Sequence, residues 1–248
     1  GRMAIIQNGS SLFTGDAGSG SSNIRKYLIE NDYLDSIIQL PSDLFYNTGI
    51  STFIWIIDGK DAKPESRKGK VQLIDASQCF KKRRKNIGSK RVDLNEECID
   101  LIVEIYDHFK NGEVLTRDIL VDGDKRTISV ESKLFDNMFF GFTQVVVESP
   151  LLKQDGTPIL KKGVVQADPA QRDNEIIPLQ DDKGQYMQKN VLPYNRAAWI
   201  DESKSKIGYE IPFTRLFFKF IPPESSSDVY ADIKTMDEEE TKLMKELM

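Results

Sequence analysis

At 248 residues, with 29% charged and 39% hydrophobic side chains, the chain is long enough to bury one good core and part of a second. It holds no apolar run of about 18 residues and opens without the layout of a signal peptide, so no membrane span is proposed and a cytoplasmic protein is expected. Two cysteines, Cys79 and Cys98, cannot build a zinc constellation or a disulfide framework, and the net charge of −5 leaves any nucleic-acid contact to a local patch.

In chain order, MAIIQN (3–8) reads as a buried strand ending in an Asn-Gly turn. A strand with no polar lead-in suggests a chain that begins mid-core, as the second half of a larger domain. A half-sheet of that kind would expose an unpaired edge, so aggregation or dimerisation is expected. The loop FTGDAGSG follows, then a helix over 21–32 with Ser21 or Ser22 as its cap and Ile24, Tyr27 and Leu28 on one face. DSIIQLP (35–41), STFIWIID (51–58) and KVQLIDA (70–76) are further strands, the second of them buried on both faces. A helix over about 94–110 carries the stripe Leu94, Cys98, Leu101, Ile102, Ile105 and Phe109. FTQVVVESP (142–150) is another strand, and residues 153–190 read as loop and short helix. The aromatic segment GYEIPFTRLFFKFIPP (208–223) leads to a terminal helix over 227–248. Its near-heptad stripe is Val229, Ile233, Met236, Leu243 and Leu247. Strands interleaved with covering helices predict an α/β fold.

Three stretches could carry chemistry. The glycine-serine loop fails both phosphate-loop patterns: Ser21 stands where a Walker lysine belongs, and Asn23 stands where a dinucleotide loop needs its third glycine. It reads as a mobile strand-to-helix connection whose helix N-terminus could still attract a DNA phosphate. LPSDLFYNTGIST (40–52) puts two adjacent aromatics in a turn between buried strands. Phe45 and Tyr46 either close the core or form a stacking platform at the sheet edge. The run 81–91 holds seven Lys or Arg and no carboxylate, either as a solvated loop or as a phosphate-neutralising patch. His108 stands alone and is read as packing or facing solvent, which leaves no histidine-based catalytic arrangement.

Taken together, IRKYL…IIQLP…LFYNTGIST, with RKGKVQLIDAS, RKNIGSKR, FDNMFFGFTQVVVESPL and VLPYNRAAWIDESKSKIGYEIPFTRLFFKF, resembles the modification (M) subunit of type I restriction–modification systems, an N6-adenine DNA methyltransferase. The resemblance runs over nearly the whole chain. It implies the later half of a Rossmann-like S-adenosylmethionine-dependent sheet over residues 1–112, with the strand at 51–58 antiparallel to its neighbours. A mixed α+β extension over 113–223 and a terminal helix over 224–248 for subunit contact would follow. Phe45 aligns with the aromatic that such enzymes present to a flipped adenine, with Tyr46 and Asn47 shaping the pocket. Lys82, Arg83, Arg84 and Lys85 are the phosphate candidates. An aromatic face can return roughly 1–3 kcal/mol per base against the cost of flipping.

The family's cofactor, S-adenosylmethionine, sits on a glycine-rich loop, and its Asn-Pro-Pro-aromatic motif holds the adenine amino group. Neither occurs here, since the only Pro-Pro pair, Pro222-Pro223, follows Ile221. No catalytic, cofactor or metal residue is therefore expected in this chain, which should be inactive alone. The resemblance also implies double-stranded DNA with a flipped adenine, the specificity (S) subunit and a second M subunit as partners, with the restriction (R) subunit as a further candidate. The competing reading is a non-catalytic DNA-binding or assembly module on a methyltransferase-like scaffold.

Overall fold

The computed structural model describes residues 1–59, 62–121, 124–220, 222–223 and 225–247. Two compact units result, Gly1–Phe213 and Thr214–Met248.

The first unit is built on a six-stranded sheet with the order β1-β3-β2-β4-β8-β7. Its strands are β1 (Arg2–Asn8), β2 (Leu34–Gln39), β3 (Thr52–Asp58), β4 (Lys70–Asp75), β7 (Glu113–Val121) and β8 (Asp124–Asp136). Between β4 and β7 lie the hairpin strands β5 (Lys81–Ile87) and β6 (Lys90–Asp93). β3 runs antiparallel to both neighbours, whereas β2 and β4 run parallel. The apolar runs of β2 and β4 are buried because helices cover a sheet centre that has no water-facing side. β1 departs from the expected buried strand: it forms the sheet edge, and Met3 and Ile6 are exposed.

Helix α1 (Gly20–Glu30) starts one residue earlier than expected, and its cap is Ser19, whose hydroxyl accepts from the Ser22 amide. Its apolar residues Ile24 and Tyr27 are exposed, and the face turned inward is Ser22, Arg25 and Ile29. Long-range bonds decide that orientation. The Tyr209 amide donates to Ser22 Oγ at 3.0 Å, Arg25 Nε donates to the Tyr209 carbonyl at 2.6 Å, and the Tyr209 hydroxyl donates to Glu30 at 3.1 Å.

Helix α2 (Glu96–His108) is capped by Asn95 and buries Cys98, Leu101, Ile102 and Ile105, as its periodicity predicts. These pack with Ile38, Ile74, Ile119, Ile128 and Val130 into one cluster. Three of its members, Ile119 of β7 and Ile128 and Val130 of β8, lie beyond residue 112, and the sheet continues from β4 into these strands.

A second sheet pairs β12 (Asp173–Pro178), β9 (Gly141–Glu148) and β13 (Trp199–Tyr209), all antiparallel. β9 alternates buried and half-buried residues, and Val145 and Val147 pack with Ile177, Met187 and Val191. The stretch read as loop and short helix thus supplies a full strand, β12, besides the small hairpin β10 (Leu160–Lys161) and β11 (Val164–Val165) and the turn α3 (Lys183–Tyr186). The aromatic segment ends in the short helix α4 (Phe213–Phe217), with Ile221 outside the described residues.

Within the second unit, α5 (Ser226–Leu247) forms as predicted. Val229, Ile233, Met236 and Leu243 are exposed, and the Leu247 side chain lies outside the described residues. No described helix is long and apolar enough to cross a membrane.

Asp32 fastens three segments. It accepts from Lys63 Nζ at 2.7 Å, from Asn137 Nδ2 at 2.9 Å and from the Gly69 amide at 2.9 Å. Burial opposes its charge, yet these donors outweigh it and hold the carboxyl below its ordinary value. Such a group adds stability above the unfolded carboxylate pKa of about 4, and that stability is lost as pH falls through the lower folded value. Acid unfolding of Asp32→Asn should therefore show a shallower pH dependence than the parent below about pH 4. Identical profiles in urea melts across that range would contradict this.

Candidate nucleic-acid interface

Because β2 and β4 are parallel neighbours, the loops that leave their carboxyl ends open on the same side of the sheet, where α/β proteins gather ligands. Pro41 stops β2, and Asp43 takes a left-handed φ of 59°. Leu40 and Leu44 turn back into a small core with Val92 of β6, on which Phe45, Phe80 and Leu94 pack. Phe45 is thus half-buried, while Tyr46 is 58% exposed and Asn47 is exposed beside it. Core closure and an exposed ring are both present, one on each of two adjacent residues.

The basic run is no loop: it is the β5–β6 hairpin, turned by Gly88 and Ser89 and irregular between Lys82 and Ile87. Its β6 strand docks on the aromatic loop. The Arg91 amide donates to the Asp43 carbonyl at 2.9 Å, and the Ser89 amide donates to the Tyr46 carbonyl at 2.8 Å. The Lys90 ammonium lies 5.9 Å from the Tyr46 ring centroid. Asp93 takes ion pairs from Arg83 and Lys90, and although burial works against its charge, these cations hold its carboxyl below the usual range. Lys82, Arg84 and Lys85 are exposed. Clefts flank the hairpin. One of about 530 Å³ faces the loop after β2 and is lined by Ser42, Asp43, Gln78, Lys82, Asn86 and Arg91. The other, of about 620 Å³, is lined by Lys81 through Lys85 and by Asp93 to Asn95. Exposed cations around open clefts suit a flexible polyanion, which is held by charge without exact fit.

The sequence counts Lys90 and Arg91 in the basic run but singles out only Lys82 to Lys85, and it gives no role to Asn86. Arg91 lay in the same run, and only the hairpin turn shows that it faces the aromatic loop.

The glycine-serine loop, expected as a mobile connection, is tied at its start to Arg25. Arg25 Nη1 and Nη2 donate to the Ser11 and Thr14 carbonyls at 3.0 Å each, and Nε holds Tyr209. Burial pulls this guanidinium below its usual pKa, with Glu210 offsetting the effect in part. The loop turns carbonyls inward onto a cation, the opposite of the amide nest that cradles phosphate. It therefore does not fit the phosphate-cradle pattern, nor a cradle for S-adenosylmethionine. Arg25→Met is expected to raise amide exchange across residues 9–19 by an order of magnitude or so while leaving α2 unchanged, since each lost charge-assisted bond is worth about 1.5–3 kcal/mol. Unchanged exchange there would contradict the anchoring role.

Cys79 and Cys98 are buried and free, and no group of three metal-ligating side chains occurs among the described residues. His108 is partly exposed, with Nδ1 3.1 Å from Glu113.

Residues 1–125, which contain both the aromatic loop and the hairpin, match the N-6 DNA Methylase family. The type I restriction enzyme MjaVII methylase subunit of Methanocaldococcus jannaschii is 35% identical over 116 residues, 47% of this chain and 19% of that protein. The MpnII methylase subunit of Mycoplasma pneumoniae is 34% identical over 79 residues, 31% of this chain and 14% of that protein. The aligned stretches thus span less than a fifth of these relatives. Among solved structures, the type I restriction–modification methyltransferase subunit from Streptococcus thermophilus aligns with a TM-score of 0.41 at 25% identity, over 55% of this chain and 23% of that one. The EcoKI M protein aligns with a TM-score of 0.34 at 19% identity, over 53% and 31%.

Proposed function

Since this chain belongs to the N-6 DNA methylase family, we propose that it forms the DNA-receiving face of a type I modification methyltransferase, which transfers a methyl group to N6 of an extruded adenine. The observation that carries this reading is the docking of a cationic hairpin against an exposed aromatic loop at the carboxyl ends of two parallel strands. We read the order β1-β3-β2-β4, with β3 antiparallel, as the later half of a Rossmann-like methyltransferase sheet.

The residues divide the work. Lys82, Arg83, Arg84 and Lys85 neutralise phosphates, with Arg83 oriented by Asp93. Tyr46 offers its ring to the flipped base, Phe45 braces that ring's loop from below, and Asn47 borders the pocket. When bound, S-adenosylmethionine supplies the methyl group. The glycine-serine loop held by Arg25 does not fit it, and we assign to this chain the binding and orienting of the DNA, with no methyl transfer by the chain alone. The apolar side chains exposed on α5 suit packing against helices of a partner, and the specificity subunit is the partner we propose. That helix also favours the second reading, an assembly module without chemistry of its own.

In the assembled methyltransferase, Tyr46→Ala should lower methylation by about tenfold or more, matching a lost stacking energy of roughly 1–3 kcal/mol per base. DNA affinity and its salt dependence should hold. Phe45→Ala should lower stability as well. Methylation unchanged in both variants would overturn the assignment and favour the assembly module.

A further inference from the structure

We propose that the tip of the β5–β6 hairpin is a latch that positions the Tyr46 ring, with Gly88 and Ser89 as its positioning residues. The latch deepens the base-stacking reading and rests on it. An exposed aromatic in a turn-rich loop has no packing of its own to fix its direction, so something must hold the backbone beneath it. The Tyr46 carbonyl receives the Ser89 amide at 2.8 Å, and the neighbouring Arg91 amide holds the Asp43 carbonyl at 2.9 Å. These bonds span the segment that carries Phe45 and Tyr46, and they come from the turn and the second strand of the hairpin that carries the cations.

Gly88 makes the approach possible. Its φ is +58°, and a methyl group placed on it would lie 2.7 Å from the Tyr46 carbonyl oxygen, nearer than such contacts occur. No other residue type fits there without parting the tip from the loop. Phosphate contact and base capture are thereby joined: a strand seated on the hairpin reaches a ring whose place the same hairpin sets.

Two independent changes break the latch. Gly88→Ala adds the clash, and Ser89→Pro removes the donor, while Ser89→Ala keeps the amide and should behave as the parent. Gly112→Ala is the control for backbone strain, because Gly112 has a φ of +72° and open space around it. Amide exchange is measured over residues 43–48 of the full chain. Quenching of a single 2-aminopurine in a short oligothymidylate is then read at several salt concentrations. Gly88→Ala and Ser89→Pro should speed exchange by about five- to tenfold, the worth of a lost hydrogen bond. They should also lose most of the quench while the salt dependence of binding stays. Ser89→Ala and Gly112→Ala should do neither.

Exchange that is unchanged in both latch variants, or an unchanged quench despite faster exchange, overturns the latch. Should Ser89→Pro fail to fold, Gly88→Ala decides alone. Faster exchange with no quench even in the parent upholds the latch as the loop's anchor and removes base stacking instead.

Discussion

Asp35→Ala should cost about 3–5 kcal/mol of folding stability, a large share of the roughly 5–15 kcal/mol that holds a domain together. Asp35 is fully buried and takes Arg67 Nε at 2.8 Å and Nη2 at 3.0 Å, with the Tyr106 hydroxyl at 2.7 Å. The same guanidinium donates to Gln72 at 2.8 Å and to the Tyr106 carbonyl at 3.0 Å. Its faces are covered by the Tyr106 and Phe109 rings, whose centroids lie 4.3 and 4.1 Å away. Burial, then the bond to Asp35, pushes the Tyr106 hydroxyl pKa up, so tyrosine stays a donor at any working pH. Removing the carboxylate leaves a cation enclosed by rings and without its counter-charge. That is the costly way to break a buried pair. The double substitution Asp35→Leu with Arg67→Met should recover much of the loss. Urea melts read both values, and a loss below about 1 kcal/mol for Asp35→Ala would show the network to be slack.

The second large effect is on DNA. Neutralising Lys82, Arg84 and Lys85 together to glutamine should lower the slope of log affinity against log salt by about 2–3, since each duplex phosphate contact contributes about 0.9. At 0.1 M salt this amounts to roughly two and a half orders of magnitude in affinity. Arg83 is left in place because its pairing with Asp93 holds the hairpin's shape. Surface changes of this kind move stability by only about 0.5 kcal/mol, so an unfolded hairpin would not explain the loss. A slope changed by less than about one would remove the hairpin from the interface.

The strands β2, β3, β4 and β9 and the helix α2 were legible because local pattern and burial agree in them, and α5 was legible from its helical periodicity although its apolar stripe is exposed. Where they disagree, the sequence misleads. The stripe Ile24, Tyr27 and Leu28 promised an inward face, but Arg25 and Ser22 turn inward to meet Tyr209, a partner 184 residues from Arg25. No window of local pattern holds that pairing. β7 and β8 went unread for a different reason: EVLTRDILV and DKRTISVESKLFD mix charged and apolar residues, so the Asp122-Gly123 turn signal between them was passed over, and their place in the sheet comes from β8 pairing on β4. Asp35 and Arg67 lie in an apolar run and a polar stretch, 32 residues apart, and carry no sign of each other.

The site was half legible. Residue types and the closeness of Phe45 to the basic run in sequence pointed to it, but the difference in exposure between Phe45 and Tyr46 follows from Val92 and Phe80 closing over one ring only. The role of Gly88 depends on a carbonyl that the hairpin reaches only once it has folded.

A photo-crosslink in the assembled methyltransferase tests whether the Tyr46 ring meets the target base. Duplex DNA carrying 5-iodouracil in place of the target adenine is irradiated, and the linked peptide is sequenced. The expected crosslink lies within residues 44–48, on the Tyr46 ring. A crosslink on any other segment, with residues 44–48 unmodified, would contradict it.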